Sequence, residues 1–103
     1  MEFKIKSEMV PGVEGRRFRE GGRLHRYVRI YLEAVPPEAI KEIESVQYEL
    51  HPTFRERTRL SANSASQFDI KIWTYGYFNI RAKVFMKNGP PRDVDGFVRW
   101  QVS

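Results

Sequence analysis

The chain reads as an all-β protein, an antiparallel β-sandwich of six to eight short strands. Three observations carry that expectation. Five segments alternate apolar and polar residues with period two, residues that favour turns separate them, and only one short segment has helical character.

The alternation places one face of each strand in a core and the other in water. Val28, Ile30 and Leu32 alternate with Tyr27, Arg29 and Tyr31, and Val46, Tyr48 and Leu50 with Ser45, Gln47 and Glu49. Phe68, Ile70 and Ile72 alternate with Asp69, Lys71 and Trp73, and Phe78, Ile80, Ala82 and Val84 with Tyr77, Asn79, Arg81 and Lys83. Val94, Val98, Trp100 and Val102 alternate with Asp95, Arg99 and Gln101, with Gly96 as a gap. Segments 3–5 and 54–60 are weaker strand candidates. The expected core is Val28, Ile30, Leu32, Val46, Tyr48, Leu50, Phe68, Ile70, Ile72, Ile80, Val84, Val98 and Trp100.

Turn chemistry agrees. Asn88-Gly89-Pro90-Pro91-Arg92-Asp93 is a loop, because two prolines cannot join a ladder. Residues 12–15 and Gly21-Gly22 punctuate the start, and the small, polar segment 61–66 reads as an exposed loop. Segment 36–43, with two prolines before Glu-Ala-Ile, suits a helical first turn. It spans about two turns, too short to stand alone, and is expected to be a turn or a short 3₁₀ piece.

A length of 103 residues implies one domain, 1–103, with a core that needs no covalent staples. Aromatics at 14% argue against disorder. The absence of cysteine excludes a disulfide framework, a thiol nucleophile and a thiolate metal site. No apolar run approaches the ~18 residues of a membrane span, and the alternating N-terminus is not a signal peptide. The expectation is a soluble, cytoplasmic domain without membrane contact. A net charge of +5 weakly favours anionic partners.

Catalytic signatures are missing. The two histidines, His25 and His51, form no His-x-x-x-His pair, and there is no Gly-x-Ser-x-Gly and no glycine-rich phosphate loop. The reading is non-enzymatic, with no cofactor and no metal. Arg16-Arg17-Phe18-Arg19 and Phe54-Arg55-Glu56-Arg57-Thr58-Arg59 interleave basic and aromatic residues, as a surface that tracks phosphates does. Charge on the water side of a strand accounts for them better, and Glu14, Glu20 and Glu56 interrupt the runs.

Two strand ends are richer. One runs into Leu50-His51-Pro52-Thr53-Phe54, the other into Trp73-Thr74-Tyr75-Gly76-Tyr77-Phe78. Pro52 ends the ladder, so His51 leaves the sheet. Loops at a sandwich end carry function on a rigid scaffold. From spacing alone these residues are either a binding site or aromatic plugs closing the end of the core.

The same residues resemble the YEATS domain family, which has a strand ending in Leu-His-x-Ser/Thr-Phe and, some twenty residues on, an aromatic-Gly-x-Phe turn. Leu50-His51-Pro52-Thr53-Phe54 and Tyr75-Gly76-Tyr77-Phe78 match in order and spacing. Segments 27–31 and 43–48 are similar to the family's early strand and to its approach to the histidine. The resemblance covers about residues 24–100 and is closest to the prokaryotic type. Thr74 stands where the family commonly has glycine, and Tyr77 where it often has an acid.

The resemblance implies an immunoglobulin-like sandwich and a recognition module for peptide or protein ligands, acylated lysine or a similar flat acyl group among them. Carried over residue by residue, Phe54 and Tyr75 form two walls of a slot and His51 lines it. Thr53 offers a hydroxyl to the acyl amide, and the backbone around Thr74, Tyr75 and Gly76 supplies the second amide hydrogen bond. Two other readings stay open. One is a protein–protein assembly module of a prokaryotic signalling system, its slot filled by its own side chains, with Phe54 flat on Tyr75. The other is a basic sandwich that binds nucleic acid through Arg55, Arg57 and Arg59.

Overall fold

The computed structural model describes residues 1–17, 23–52 and 54–100. Among them lie eight strands: β1 (Glu2–Met9), β2 (Arg16–Arg17), β3 (Leu24–Val35), β4 (Ile43–Glu49), β5 (Thr58–Ser61), β6 (Ile70–Thr74), β7 (Phe78–Met86) and β8 (Arg92–Val98). All pairings are antiparallel. In one sheet β1 and β6 flank β3, whose first residues also pair with β2. The other sheet runs β5-β4-β7-β8. This is the sandwich that the period-two pattern predicts.

β3 is the spine of its sheet, because residues 28–30 are paired on both sides. Its inward residues Val28, Ile30 and Leu32 are fully buried, as are Val46, Tyr48, Ala82, Val84 and Val98 from the facing sheet. Twelve of the thirteen expected core residues are buried; Trp100 is only partly so, packed at the margin beyond the end of β8. Phe3, Ala34, Ala39, Ile43, Phe78 and Ala82 complete the core. Gly96 is more than a gap: a Cβ there would lie 2.8 Å from Cβ of Ile5, so its bareness lets β1 and β8 approach across the sandwich.

Several boundaries move. β3 extends from Leu24 to Val35, well beyond 27–32. Segment 54–60 becomes strand only at Thr58–Ser61, and Ser61, read as exposed loop, is buried in β5 opposite Val46. Arg92 and Asp93 join β8 rather than the preceding loop, since only the two prolines lack the donor a ladder needs. Phe68 is buried but lies outside β6: it and Gln67 adopt left-handed backbone, with φ of 54° and 59°. The short helix is a 3₁₀ turn over Pro37–Glu42, held inward by Ala39. Gly21, Gly22, Phe18, Arg19 and Val102 lie outside the described residues. No helix among the described residues is long and apolar enough to cross a membrane.

Left-handed backbone at two non-glycine residues costs energy that burial of Phe68 offsets. Hydrogen bonds fix the same connection: Phe68 N donates to Asn63 O at 2.9 Å, Leu32 N to Gln67 O at 3.0 Å, and the buried Tyr48 hydroxyl to Phe68 O at 2.7 Å. Burial pushes the Tyr48 hydroxyl far above the usual phenol range. On the outer face Arg29 donates to Asp69 at 2.8 Å, to Ser66 O at 2.8 Å and to Glu8 at 3.2 Å. Burial raises a carboxyl, yet the bonds from Arg29 and Ser66, with the charges of Arg29 and Lys71, hold Asp69 below the usual carboxylate range.

Candidate functional site

The site end of the sandwich is where β4 and β6 finish and β5 and β7 begin. After β4, Leu50 N donates to Arg57 O at 2.6 Å and closes the neck of the 50–57 loop. Within it, Phe54 N donates to His51 O at 3.0 Å, a four-residue turn with Pro52 at its second position, where a fixed φ favours the bend. That turn carries His51 out of the sheet and folds Phe54 back against the core.

The second loop joins β6 to β7 in three residues. Thr74 is buried; its hydroxyl donates to Gly76 O at 3.0 Å and accepts from Gly76 N at 3.4 Å. A side chain thus clasps the turn where the family commonly has glycine. Tyr75 and Tyr77 stand outward, 49% and 55% exposed.

His51, Phe54, Thr74, Tyr75 and Gly76 line one depression of about 210 Å3 with Tyr77 and Phe78. Five of the six residues singled out from sequence therefore meet at one end of the sandwich; the sixth, Thr53, lies outside the described residues. The rings do not stack as a closed plug would. Phe54 lies against Phe78, centroids 5.1 Å apart and planes at 53°. Tyr75 meets the His25 ring edge-on at 5.3 Å and carries the Arg23 guanidinium 4.7 Å over its face. Tyr77 is pinned by its hydroxyl, which donates to Trp100 O at 2.8 Å, and by its edge contact with the Trp100 ring.

Spacing missed the part played by His25. Its signal was present: extending the alternation of β3 backwards puts His25 on the outer face with Tyr27, and extending that of β6 forwards puts Tyr75 there with Trp73. The register that pairs Arg26 with Thr74 makes them neighbours, and register is a tertiary fact. No group of three or more His, Cys, Asp or Glu among the described residues could hold a metal ion.

Comparison with known proteins places this arrangement. The family described as pYEATS, the prokaryotic YEATS domain, matches residues 27–95, which contain both loops. Among solved structures the chain is similar to the yeast AF-9 homolog protein Yaf9, at 18% identity over 97% of this chain and 66% of that one, with a TM-score of 0.69. It is similar to the Yaf9 YEATS domain bound to H3K27ac, at 18% identity over 98% and 71% of the chains, TM-score 0.68. The Yaf9 YEATS domain recognizing an H3K122suc peptide matches at 16% identity over 95% and 70%, TM-score 0.66. The chain thus spans about two thirds of the length of these structures, and at such identities the likeness is one of fold. No curated protein matches the sequence.

Proposed function

The chain belongs to the prokaryotic YEATS family, and from that membership we propose that it is a non-enzymatic recognition module whose end-of-sandwich depression takes a flat, uncharged acyl group on a lysine side chain of a peptide or protein. The observation that carries this reading is the convergence of His51, Phe54, Thr74, Tyr75 and Gly76 on one depression. The Yaf9 structures bound to H3K27ac and recognizing an H3K122suc peptide add support by likeness of fold.

The chemistry suits the ligand. An acyl amide is planar and is covered well by aromatic side chains, which contribute roughly 0.5–1.5 kcal/mol per ring pair beyond simple burial. Its N–H and C=O lose water on entry and need an acceptor and a donor, which the backbone of the Thr74–Gly76 turn and the hydroxyl of Thr53 would supply. A free ammonium would gain poor hydrogen bonds there and be costly to desolvate. Phe54 rests on Phe78, an arrangement that supports an open depression over one closed by Phe54 lying flat on Tyr75. Arg23 over Tyr75 puts a cation at the mouth, so the peptide around the modified lysine should be neutral or acidic.

Titration with peptides carrying acetylated, crotonylated or unmodified lysine tests this. Acylated peptides should bind at least tenfold more tightly than unmodified ones, with micromolar affinity, about −8 kcal/mol, as the strong end for so small a contact. Tyr75→Ala should abolish binding and Arg57→Ala leave it nearly intact. Equal affinity for free and acylated lysine overturns the reading.

A further inference from the structure

A second concave surface lies on the flank of the sandwich, where the edge strand β5 of one sheet faces the edge strand β6 of the other. It is a cleft of about 340 Å3 whose lining includes Phe54, Arg55, Glu56, Arg59, Lys71 and Trp73. Two of the three arginines of the basic-aromatic run 54–59 therefore point to one place, together with a lysine and a tryptophan brought from β6. A fourth cation joins them, because the Arg16 guanidinium lies 5.5 Å over the Trp73 ring. Arg57 is not among the lining residues.

The charge is lopsided. Among the described lining residues the one carboxylate, Glu56, is 78% exposed and reaches Arg59 only at 3.9 Å, an arrangement that neutralises little in water. Neighbouring acids are engaged elsewhere, since Glu8 and Asp69 both accept from Arg29. Beyond Trp73 the outward positions of β3 and β6 among the described residues carry no carboxylate: Tyr27 packs on Trp73 at 4.8 Å, and His25 and Tyr75 follow toward the slot.

From this geometry we infer that the cleft between the β5 and β6 edges binds single-stranded nucleic acid, with Arg55, Arg59 and Lys71 on phosphates and Trp73 against a base. Cations beside the half-buried Trp73 ring match a chain whose charges and flat groups alternate. A volume of this size admits one nucleotide unit, and the aromatic stripe from Trp73 to Tyr75 extends the track past it. A ring set inside a cleft meets a base only when that base is unstacked, so a duplex offers it nothing but phosphates. The cleft adjoins the acyl depression: Phe54 lines both, and the stripe from Trp73 ends on Tyr75 of the depression.

Fluorescence anisotropy of the 103-residue chain with labelled ten-nucleotide oligothymidine and oligouridine tests the inference. Binding is expected at low salt, with log affinity falling against log salt at a slope of about −2 to −3, the value for three or four neutralised phosphates. Arg55→Ala combined with Arg59→Ala should weaken binding at least tenfold, and Trp73→Leu about tenfold, while Arg57→Ala changes it less than twofold. Circular dichroism of each variant reports folding; should Trp73→Leu fail to fold, the arginine pair, on the loop and the edge strand, decides alone. Absence of binding at low salt overturns the inference. So do an affinity for a duplex equal to that for the single strand, equally effective competition by polyglutamate, and a loss in Arg57→Ala matching that of the arginine pair.

Discussion

The 62–69 connection and the 75–77 connection each carry aromatic and polar side chains out of the sheets, and they are built in opposite ways. In the first, every prominent group is answered: Phe68 is fully buried, Tyr48 donates into its carbonyl, Asn63 Oδ1 accepts from Ala65 N at 3.1 Å, and Arg29 reaches Asp69, Ser66 and Glu8. In the second, hydrogen bonds hold the turn itself, through Thr74 and Gly76, while the rings of Tyr75 and Tyr77 face water. The difference separates scaffold from site. Where polar groups are satisfied within the protein, a loop braces the fold; where rings and cations are held in place yet left in contact with solvent, a loop can spend its contacts on a partner.

The largest expected effect tests the bracing half. Phe68→Ala removes a fully buried ring and the burial that offsets two left-handed residues, and should cost about 3–5 kcal/mol in denaturant unfolding. A loss below about 1 kcal/mol would mean that the connection is as loosely built as the site loops.

A middle effect belongs to Arg29. Arg29→Ala takes the guanidinium from Ser66 O and from Asp69, which keeps its bond from Ser66, and should cost about 1–3 kcal/mol, less than a fully buried pair because water reaches both partners. The same contact sets a pH dependence. Asp69 is held below its ordinary range, so its ionised form favours the fold. That contribution is fully present above about pH 4, the unfolded value, and is lost as pH falls through the lower folded value. Thermal melts should show stability dropping on acidification below about pH 4, with a shallower drop in Asp69→Asn.

The smallest effect sharpens the contrast from the other side. Tyr75→Ala should change stability by no more than about 0.5 kcal/mol, since half of the side chain is already in water, although the same variant should abolish acyl-peptide binding. A large loss of stability would make Tyr75 a plug of the core end and turn the comparison around.

Much of this molecule was legible as sequence. Period two assigned faces to the strands, because a pleated chain alternates side chains whatever its partners, and twelve of thirteen expected core residues are buried. His51-Pro52 and Thr74-Tyr75-Gly76 announced strand ends, because proline removes a ladder donor and glycine permits a tight turn. What alternation cannot carry is the choice among registers two residues apart, or which edges face each other, since a slip of two preserves the same faces. Only the tertiary structure could bring His25 to Tyr75, place Gly96 over Ile5, set Phe68 in left-handed backbone beneath Tyr48, and gather Arg55, Arg59, Lys71 and Trp73 from two sheets around one cleft. Those juxtapositions join residues far apart along the chain, and they follow from how two twisted sheets pack, a property no single strand possesses.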